Sequence, residues 1–299
     1  SLNGLSDCLV DTDSVYVAEV PAGLSGNPQR NTVFGIDAGG GLTTGENNTF
    51  IGNDAGLGNT TTSSVVAIGW ESALSTNSNA NSVSIGARAN RGGGSSNGVI
   101  IGASAAYNGS ASNAVVIGQA AGNSSAGNET VLIGQFAGAF GAAASRQIAI
   151  GAGQAGRSNT ADQHMDVGYA AGYSNTSGTG NTNIGYYAGN TNTTGSSRVM
   201  VGYEAGLNNT GNNNVFLGKA TGKGAGSGSQ VIAIGQGVME LGSQADNCVF
   251  IGNFMAADCN SGAGSTVAIG ANCLAVTGYS GEGNVCLLYT SPSPRDRVQ

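Results

Sequence analysis

Three acidic residues are the first candidates for chemistry in this sequence. Asp37, Asp54 and Glu71 follow one another at intervals of 17 residues. Paired carboxyl groups can hydrolyse a glycosidic bond as general acid and base or nucleophile. The same interval belongs to a repeat along the chain in which no spacing exceeds 18 residues, so no loop is long enough to form a substrate cleft. We therefore predict a surface column of charges, no catalytic residues, no enzyme and no cofactor.

Histidine and cysteine offer little for a metal site. His164 is the only histidine, and it occupies the strand-start position that Asn31 and Asn48 hold in other repeats. We predict that it is a solvated turn residue. The five cysteines lack the C-x-x-C spacing of a structural zinc site. They are interpreted as small buried apolar residues, and no metal site is predicted.

Tyrosines form the third candidate group. Tyr169, Tyr186 and Tyr203 each follow the repeat glycine directly in three successive repeats. Stacked on one another they would stiffen the structure as a ladder of rings, which is the preferred interpretation. The alternative is a glycan contact, because sugars pack their apolar faces on aromatic rings.

One repeat must position all of these residues. It is a short apolar strand that ends in glycine, and it occurs fifteen times at intervals of 16–18 residues, with glycine at 35, 52, 69, 86, 102, 118, 134, 151, 168, 185, 202, 218, 235, 252 and 270. Repeats of this kind stack into solenoids. The prediction is an all-β fold, a parallel β-solenoid or β-roll of about fifteen repeats whose rungs lie about 4.8 Å apart.

Alternation along each strand assigns its residues to two faces. The residues one and three places before each glycine are apolar or Thr, and we predict that they fill the interior. Its main members are Ile51, Ile68, Ile85, Ile101, Ile117, Ile133, Ile150, Ile184, Ile234, Ile251 and Ile269. The residue between them is predicted to face outward, with Ser84, Asp166 and Asn183 at wetter rungs. Because twelve of these fifteen middle residues are apolar, they require cover, and a homotrimer is predicted.

Composition excludes several other classes. Charged residues make up only 9% of the chain, and the net charge is −7. Nucleic-acid binding needs a Lys/Arg surface that replaces counterions, so no nucleic-acid partner is expected. No apolar run approaches the 18 residues of a membrane span, so no membrane insertion of this sequence is expected.

Short motifs give the repeat a family resemblance. NNTFIGNDAG (47–56), NTNIGYYAG (181–189) and VGYEAGLNNTG (201–211) resemble repeats of bacteriophage tail-fibre proteins. SVSIG (82–86) and TVAIG (266–270) resemble the head repeats of trimeric autotransporter adhesins, which implies a left-handed β-roll. The resemblance covers residues 5–285.

The resemblance also implies a function. It indicates the shaft of a virion tail fibre that positions a receptor-binding tip for host attachment, with a host-surface glycan or protein as receptor. The alternative is the head of a trimeric adhesin on a bacterial cell surface. A monomeric ice-binding solenoid would need a flat column of Thr, whereas the Thr residues here fall mainly in irregular turns.

The two ends of the chain depart from the repeat. Residues 1–30 are predicted to be a lead-in that caps the first rung of a repeat domain over 31–285. The segment CLLYTSPSPRD (286–296) resembles a translated sequencing adapter, and the repeat stops there. We therefore predict that 286–299 is a disordered artefact of sequence assembly.

Overall fold

A computed structural model describes residues 8–11, 13–17, 24, 28–74, 79–124, 127–141, 145–241, 244–255, 264–273 and 283–287. Within these ranges the secondary structure consists of strands and turns, with no helix. The chain divides into two compact units, Ser1–Tyr169 and Ala170–Gln299. Each unit stacks short parallel strands, so the predicted all-β parallel solenoid is confirmed.

The described part of the first unit contains eleven strands. β1 pairs antiparallel with β2, and every strand from β2 to β11 pairs in parallel with the next. The strands are β1 (Cys8–Asp11), β2 (Ser14–Val17), β3 (Thr32–Phe34), β4 (Thr49–Ile51), β5 (Val66–Ile68), β6 (Val83–Ile85), β7 (Val99–Ile101), β8 (Val115–Ile117), β9 (Val131–Ile133), β10 (Ile148–Ile150) and β11 (Met165–Val167).

The second unit repeats the same arrangement. Its described strands pair in parallel in chain order. They are β12 (Thr182–Ile184), β13 (Val199–Val201), β14 (Val215–Leu217), β15 (Ile232–Ile234), β16 (Val249–Asn253), β17 (Val267–Ala271) and β18 (Val285–Leu287). All fifteen predicted repeat strands are therefore present, as β3 to β17.

The ladder of strands extends slightly beyond the predicted repeat domain at both ends. β2 pairs in parallel with β3 and so belongs to the ladder, although it lies in the lead-in predicted over 1–30. At the other end β18 includes Cys286 and Leu287, which pair with Ala268 and Ile269. These two residues are therefore strand, not disordered as predicted, and residues 288–299 lie outside the described ranges.

The predicted assignment of the two strand faces is wrong. From Val33 to Ala268, the middle residue of each strand from β3 to β17 is at most 1% exposed and fills the interior. Ser84, Asp166 and Asn183 belong to this buried set, so they are not wetter outward positions. The flanking residues point outward and are half-buried or exposed; they include Ile51, Ile68, Ile85, Ile101, Ile117, Ile133, Ile150, Ile184, Ile234, Ile251 and Ile269.

Space inside the coil explains the reversal. The large ring of Phe50 faces Gly56, where an added Cβ would lie 2.5 Å from the ring. Leu132 faces Gly138 in the same way, at 2.7 Å. At Ala233, which is small, the equivalent facing position holds the buried Met239. At these rungs the thin interior is filled because a large residue faces a small one.

Buried asparagines fix the same orientation. Asn48 lies two residues before Phe50 and therefore shares its inward face. Its Nδ2 donates to the carbonyl oxygen of Thr62 at 3.0 Å, and its Oδ1 accepts from the backbone N–H of Val65 at 2.9 Å. The Asn48 side chain thus provides hydrogen-bond partners for the backbone groups of Thr62 and Val65. Buried backbone groups require such partners.

The repeat glycine sets the distance between rungs. The fifteen glycines have φ values from +124° to +156°, a region that other residues rarely adopt. A Cβ on Gly86 would lie 2.7 Å from the carbonyl oxygen of Gly102 on the next rung. Only glycine therefore allows the corner and the close stacking together.

Candidate interaction surface

The outward face of the strands forms an apolar surface. We define the apolar stripe as the first and third residues of each repeat strand, β3 to β11 in the first unit and β12 to β17 in the second. Of these thirty side chains, 27 are Val, Ile, Leu, Met or Phe, and the other three are Thr32, Thr49 and Thr182. The stripe carries no charged or amide side chain.

The stripe is open to solvent within a single chain. Its members are half-buried or exposed, with Ile150 37% exposed in the first unit and Ile232 and Ile269 each 41% exposed in the second. Rungs about 4.8 Å apart make the stripe of the first unit about 40 Å long. The largest apolar patch on an ordinary monomer is about 300–600 Å² and often has a function.

Polar residues lie beside the stripe. Two residues before the first stripe position, Asn81, Asn97 and Asn113 form a ladder on successive rungs. The Nδ2 of Asn81 donates to Asn97 at 3.2 Å, and the Nδ2 of Asn97 donates to Asn113 at 3.3 Å. These asparagines are exposed, so a polar border bounds the apolar surface on that side.

The predicted column of acidic residues lies at the corner that follows each strand, where the backbone has a positive φ. Asp37, Asp54 and Glu71 have φ values of +54°, +56° and +53°. Glu71 departs from a catalytic pair because it binds two guanidinium groups rather than facing another carboxyl group. Its Oε2 accepts from Nε of Arg91 at 2.7 Å and from Nε of Arg88 at 2.9 Å. The hydrogen bond from Arg91, supported by that from Arg88, holds the pKa of Glu71 below its usual value.

The same corner holds an aromatic group. The guanidinium carbon of Arg88 lies 4.3 Å from the ring centre of Trp70, and that of Arg91 lies 5.5 Å from the ring of Tyr107. We call Trp70, Glu71, Arg88, Arg91 and Tyr107 the Trp70 cluster. Sequence analysis did not single it out.

The tyrosines predicted as a ladder or a glycan contact lie in both units. Tyr186 and Tyr203 in the second unit stack with ring centres 5.2 Å apart and planes 3° apart, and Tyr187 meets Tyr186 edge-on at 4.4 Å. Tyr169 belongs to the first unit and is 46% exposed. Because a stacked ring turns one face to its neighbour, less ring surface is left for a sugar. The stack supports the ladder, and a glycan contact stays a prediction.

His164 is not the solvated turn residue that the sequence predicts. It is 3% exposed, because it occupies the inward position that Asn48 holds in its own rung. Cys248 and Cys273 are buried, as predicted, whereas Cys286 is only half-buried. Desolvation by burial raises the pKa of the Cys248 thiol. The described residues contain no group of three His, Cys, Asp or Glu side chains that could hold a metal ion.

Comparisons with known proteins add no identity. The chain matches no protein-family model and no curated protein. In the part of the chain that the structure describes, no helix is long and apolar enough to cross a bilayer. The apolar stripe and the Trp70 cluster are the features of the described residues that bear on function.

Proposed function

We propose that this chain is a structural fibre shaft, part of a phage tail fibre or a similar virion appendage, which positions a receptor-binding tip for host attachment. Backbone hydrogen bonds join successive rungs on both sides of the coil, such as Val115 N–H to Thr130 at 2.9 Å and Ala106 N–H to Ala121 at 2.8 Å. This repeated bonding resists bending. The resemblance of residues 47–56 and 181–189 to tail-fibre repeats supports a virion location.

One observation carries the proposal: the outward face is more uniformly apolar than the interior. The interior column contains Ser84, Asp166 and Asn183, whereas the only polar residues of the stripe are three threonines. The fold of a single chain does not require apolar residues where water reaches them. An outward face kept apolar in the repeat strands of both units fits a surface that another molecule covers.

A homotrimer is the assembly that we propose. Each strand offers two outward columns, and in a threefold arrangement each column can pack on a different neighbour. Full burial of an aliphatic side chain corresponds to roughly 60–120 Å², so burying a remaining third in thirty side chains yields roughly 600–1,200 Å² per chain. A standard interface buries about 800 Å² per partner.

Covering the stripe removes apolar surface from water, which favours association, and the loss of translational and rotational freedom opposes it. A left-handed coil, which the adhesin resemblance implies, stays a prediction.

Extension of the reading frame from the original sequencing reads tests the biological setting. A tail-fibre shaft predicts that the frame continues past Val285 into a tip domain, beside genes for virion proteins. A coiled-coil stalk followed by a membrane-anchor barrel would instead establish the alternative, the head of a trimeric bacterial adhesin.

A further inference from the structure

The Trp70 cluster joins three successive corners of the first unit. Trp70 and Glu71 follow β5, Arg88 and Arg91 follow β6, and Tyr107 follows β7. Besides accepting from both guanidinium groups, Glu71 is linked through Arg91 to Tyr107, whose hydroxyl oxygen accepts from Nη1 of Arg91 at 3.2 Å. Four of these five side chains are thus fixed by hydrogen bonds, and Trp70 is held beneath the guanidinium of Arg88.

Two groups of hydrogen-bond donors in this cluster remain open to a ligand. Among the described residues, Arg88 donates from Nε to Glu71 but from neither of its terminal nitrogens, and the indole N–H of Trp70 has no acceptor. Solvent reaches 40% of the Arg88 side chain and 45% of Trp70. A flat aromatic surface and a fork of charged donors therefore meet in water.

The charge of the cluster suits an anion. The single carboxylate of Glu71 lies between the guanidinium groups of Arg88 and Arg91, so these three groups together carry one positive charge. Asp54 lies in the same corner column one rung before Glu71. On the other side, the rung after Arg88 presents Ala103 and Ser104, which are small and uncharged, so an anion meets no acidic residue there.

Two other arginines of the first unit, Arg146 and Arg30, lack this combination. Arg146 pairs one-to-one with Asp162 at 3.1 Å, and Arg30 pairs with Glu46 at 2.8 Å. Neither has an aromatic ring among its described ring contacts. A one-to-one ion pair on the surface is neutral and offers little to a ligand, which makes Arg146 a suitable control.

We propose that the Trp70 cluster binds an acidic sugar residue, a hexuronate unit of a polysaccharide. The terminal nitrogens of Arg88 would donate to the sugar carboxylate as a planar fork. The guanidinium of Arg88 covers part of the Trp70 indole, so the pyranose ring would pack against the part of the indole that stays exposed. The choice of a polysaccharide rests on the proposed function, since an attachment fibre meets polysaccharide at the host surface.

Fluorescence provides a direct test, because Trp70 is the only tryptophan in the chain. Titration with trigalacturonate is expected to change its emission saturably, with a Kd in the range of about 0.1–1 mM. Arg88→Gln should weaken binding about tenfold or more, because it removes the charged fork. Arg146→Gln should leave binding unchanged. Affinity should also fall as NaCl rises from about 20 to about 200 mM.

The proposal would be overturned by the absence of a saturable change with trigalacturonate, by equal affinity in the Arg88→Gln protein, or by equal affinity for neutral maltotriose. Acetate or inorganic phosphate binding as tightly as the uronide would also overturn it, because the sugar ring would then contribute nothing. Circular dichroism verifies that each variant is folded, and the salt series on the unaltered chain does not depend on any variant. A negative titration leaves the fibre assembly untouched, and a chain that fails to assemble leaves the titration interpretable.

Discussion

The inward and outward faces of the same three-residue strands differ in an unexpected direction. The interior, which water does not reach, accepts Asp166 and Asn183, while the outward stripe, which water does reach, admits nothing more polar than threonine. Asn48 shows that a polar side chain can be buried inside the coil when nearby backbone groups satisfy it. In the assembly that we propose, sister chains cover the outward stripe, and its apolar side chains need no hydrogen-bond partner there. The difference between the two faces is therefore the observation that favours an assembly over a single exposed chain.

Breaking the stacking that separates the two faces should have the largest effect. Gly86→Ala places a methyl group 2.7 Å from the carbonyl oxygen of Gly102 at a φ of +129°. Backbone strain and the clash together are expected to cost more than about 4 kcal/mol. Thermal melting followed by circular dichroism should show a large loss of stability.

Gly180→Asn is the matched control for that substitution. Gly180 has a φ of +66°, which asparagine tolerates, and its nearest neighbour for an added Cβ is 4.0 Å away. It should melt within a few degrees of the unaltered chain. Equal melting of the two variants would contradict the role given to the repeat glycine.

Substitutions at adjacent residues on opposite faces of one strand should have effects of intermediate size. Phe216→Ala leaves a cavity inside the coil and is expected to cost about 3–5 kcal/mol in urea unfolding. Leu217→Ala removes only partly exposed surface and should cost about 1 kcal/mol or less in a dilute, dissociated chain. At high protein concentration the Leu217 variant should lose more stability, because the assembly is weakened. A larger loss for Leu217→Ala than for Phe216→Ala in the dilute chain would contradict the face assignment.

Lowering the pH should have the smallest effect on stability, because it acts on ion pairs at the surface. A backbone hydrogen bond from Ser145, then one from Arg146, holds the pKa of Asp162 below its usual value. A lowered pKa means that this carboxylate stabilises the fold above its ordinary pKa, about 3.9, and that the contribution disappears as pH falls through the folded-state value. Asp162→Asn should remove this part of the pH dependence while costing less than about 1 kcal/mol at neutral pH. Parallel pH–stability curves for the two proteins below pH 4 would contradict it.

The sequence was sufficient for the strands and insufficient for their orientation. The spacing of the repeat glycine predicts every strand from β3 to β17, because each copy must meet the same corner and stacking requirements. Alternation shows only that Ile51 and Phe50 face opposite ways, not which of them is inside. The missing signal was size complementarity, since Phe50 is paired with Gly56 whereas Ala233 is paired with Met239.

The candidate sites show the same limit. Tyr186 and Tyr203 were predicted to be neighbours because they hold one repeat position on adjacent rungs. The Trp70 cluster was missed because it joins side chains of unlike type on adjacent rungs, with Arg88 and Arg91 lying 17 and 20 residues beyond Glu71. Aligning all repeats and searching adjacent rungs for opposite charges would have placed Glu71 beside Arg88.

Sedimentation equilibrium of the intact chain at about 10 μM tests whether the apolar stripe assembles three chains. We expect three times the 29.2 kDa chain mass. A double variant of the stripe, Ile117→Asp with Ile133→Asp, should sediment as a single folded chain, whereas Gln119→Asp with Gln135→Asp, two residues further along the same rungs and exposed, should remain trimeric. An unaltered chain that sediments as a stable monomer, with its apolar stripe open to water, would contradict the account.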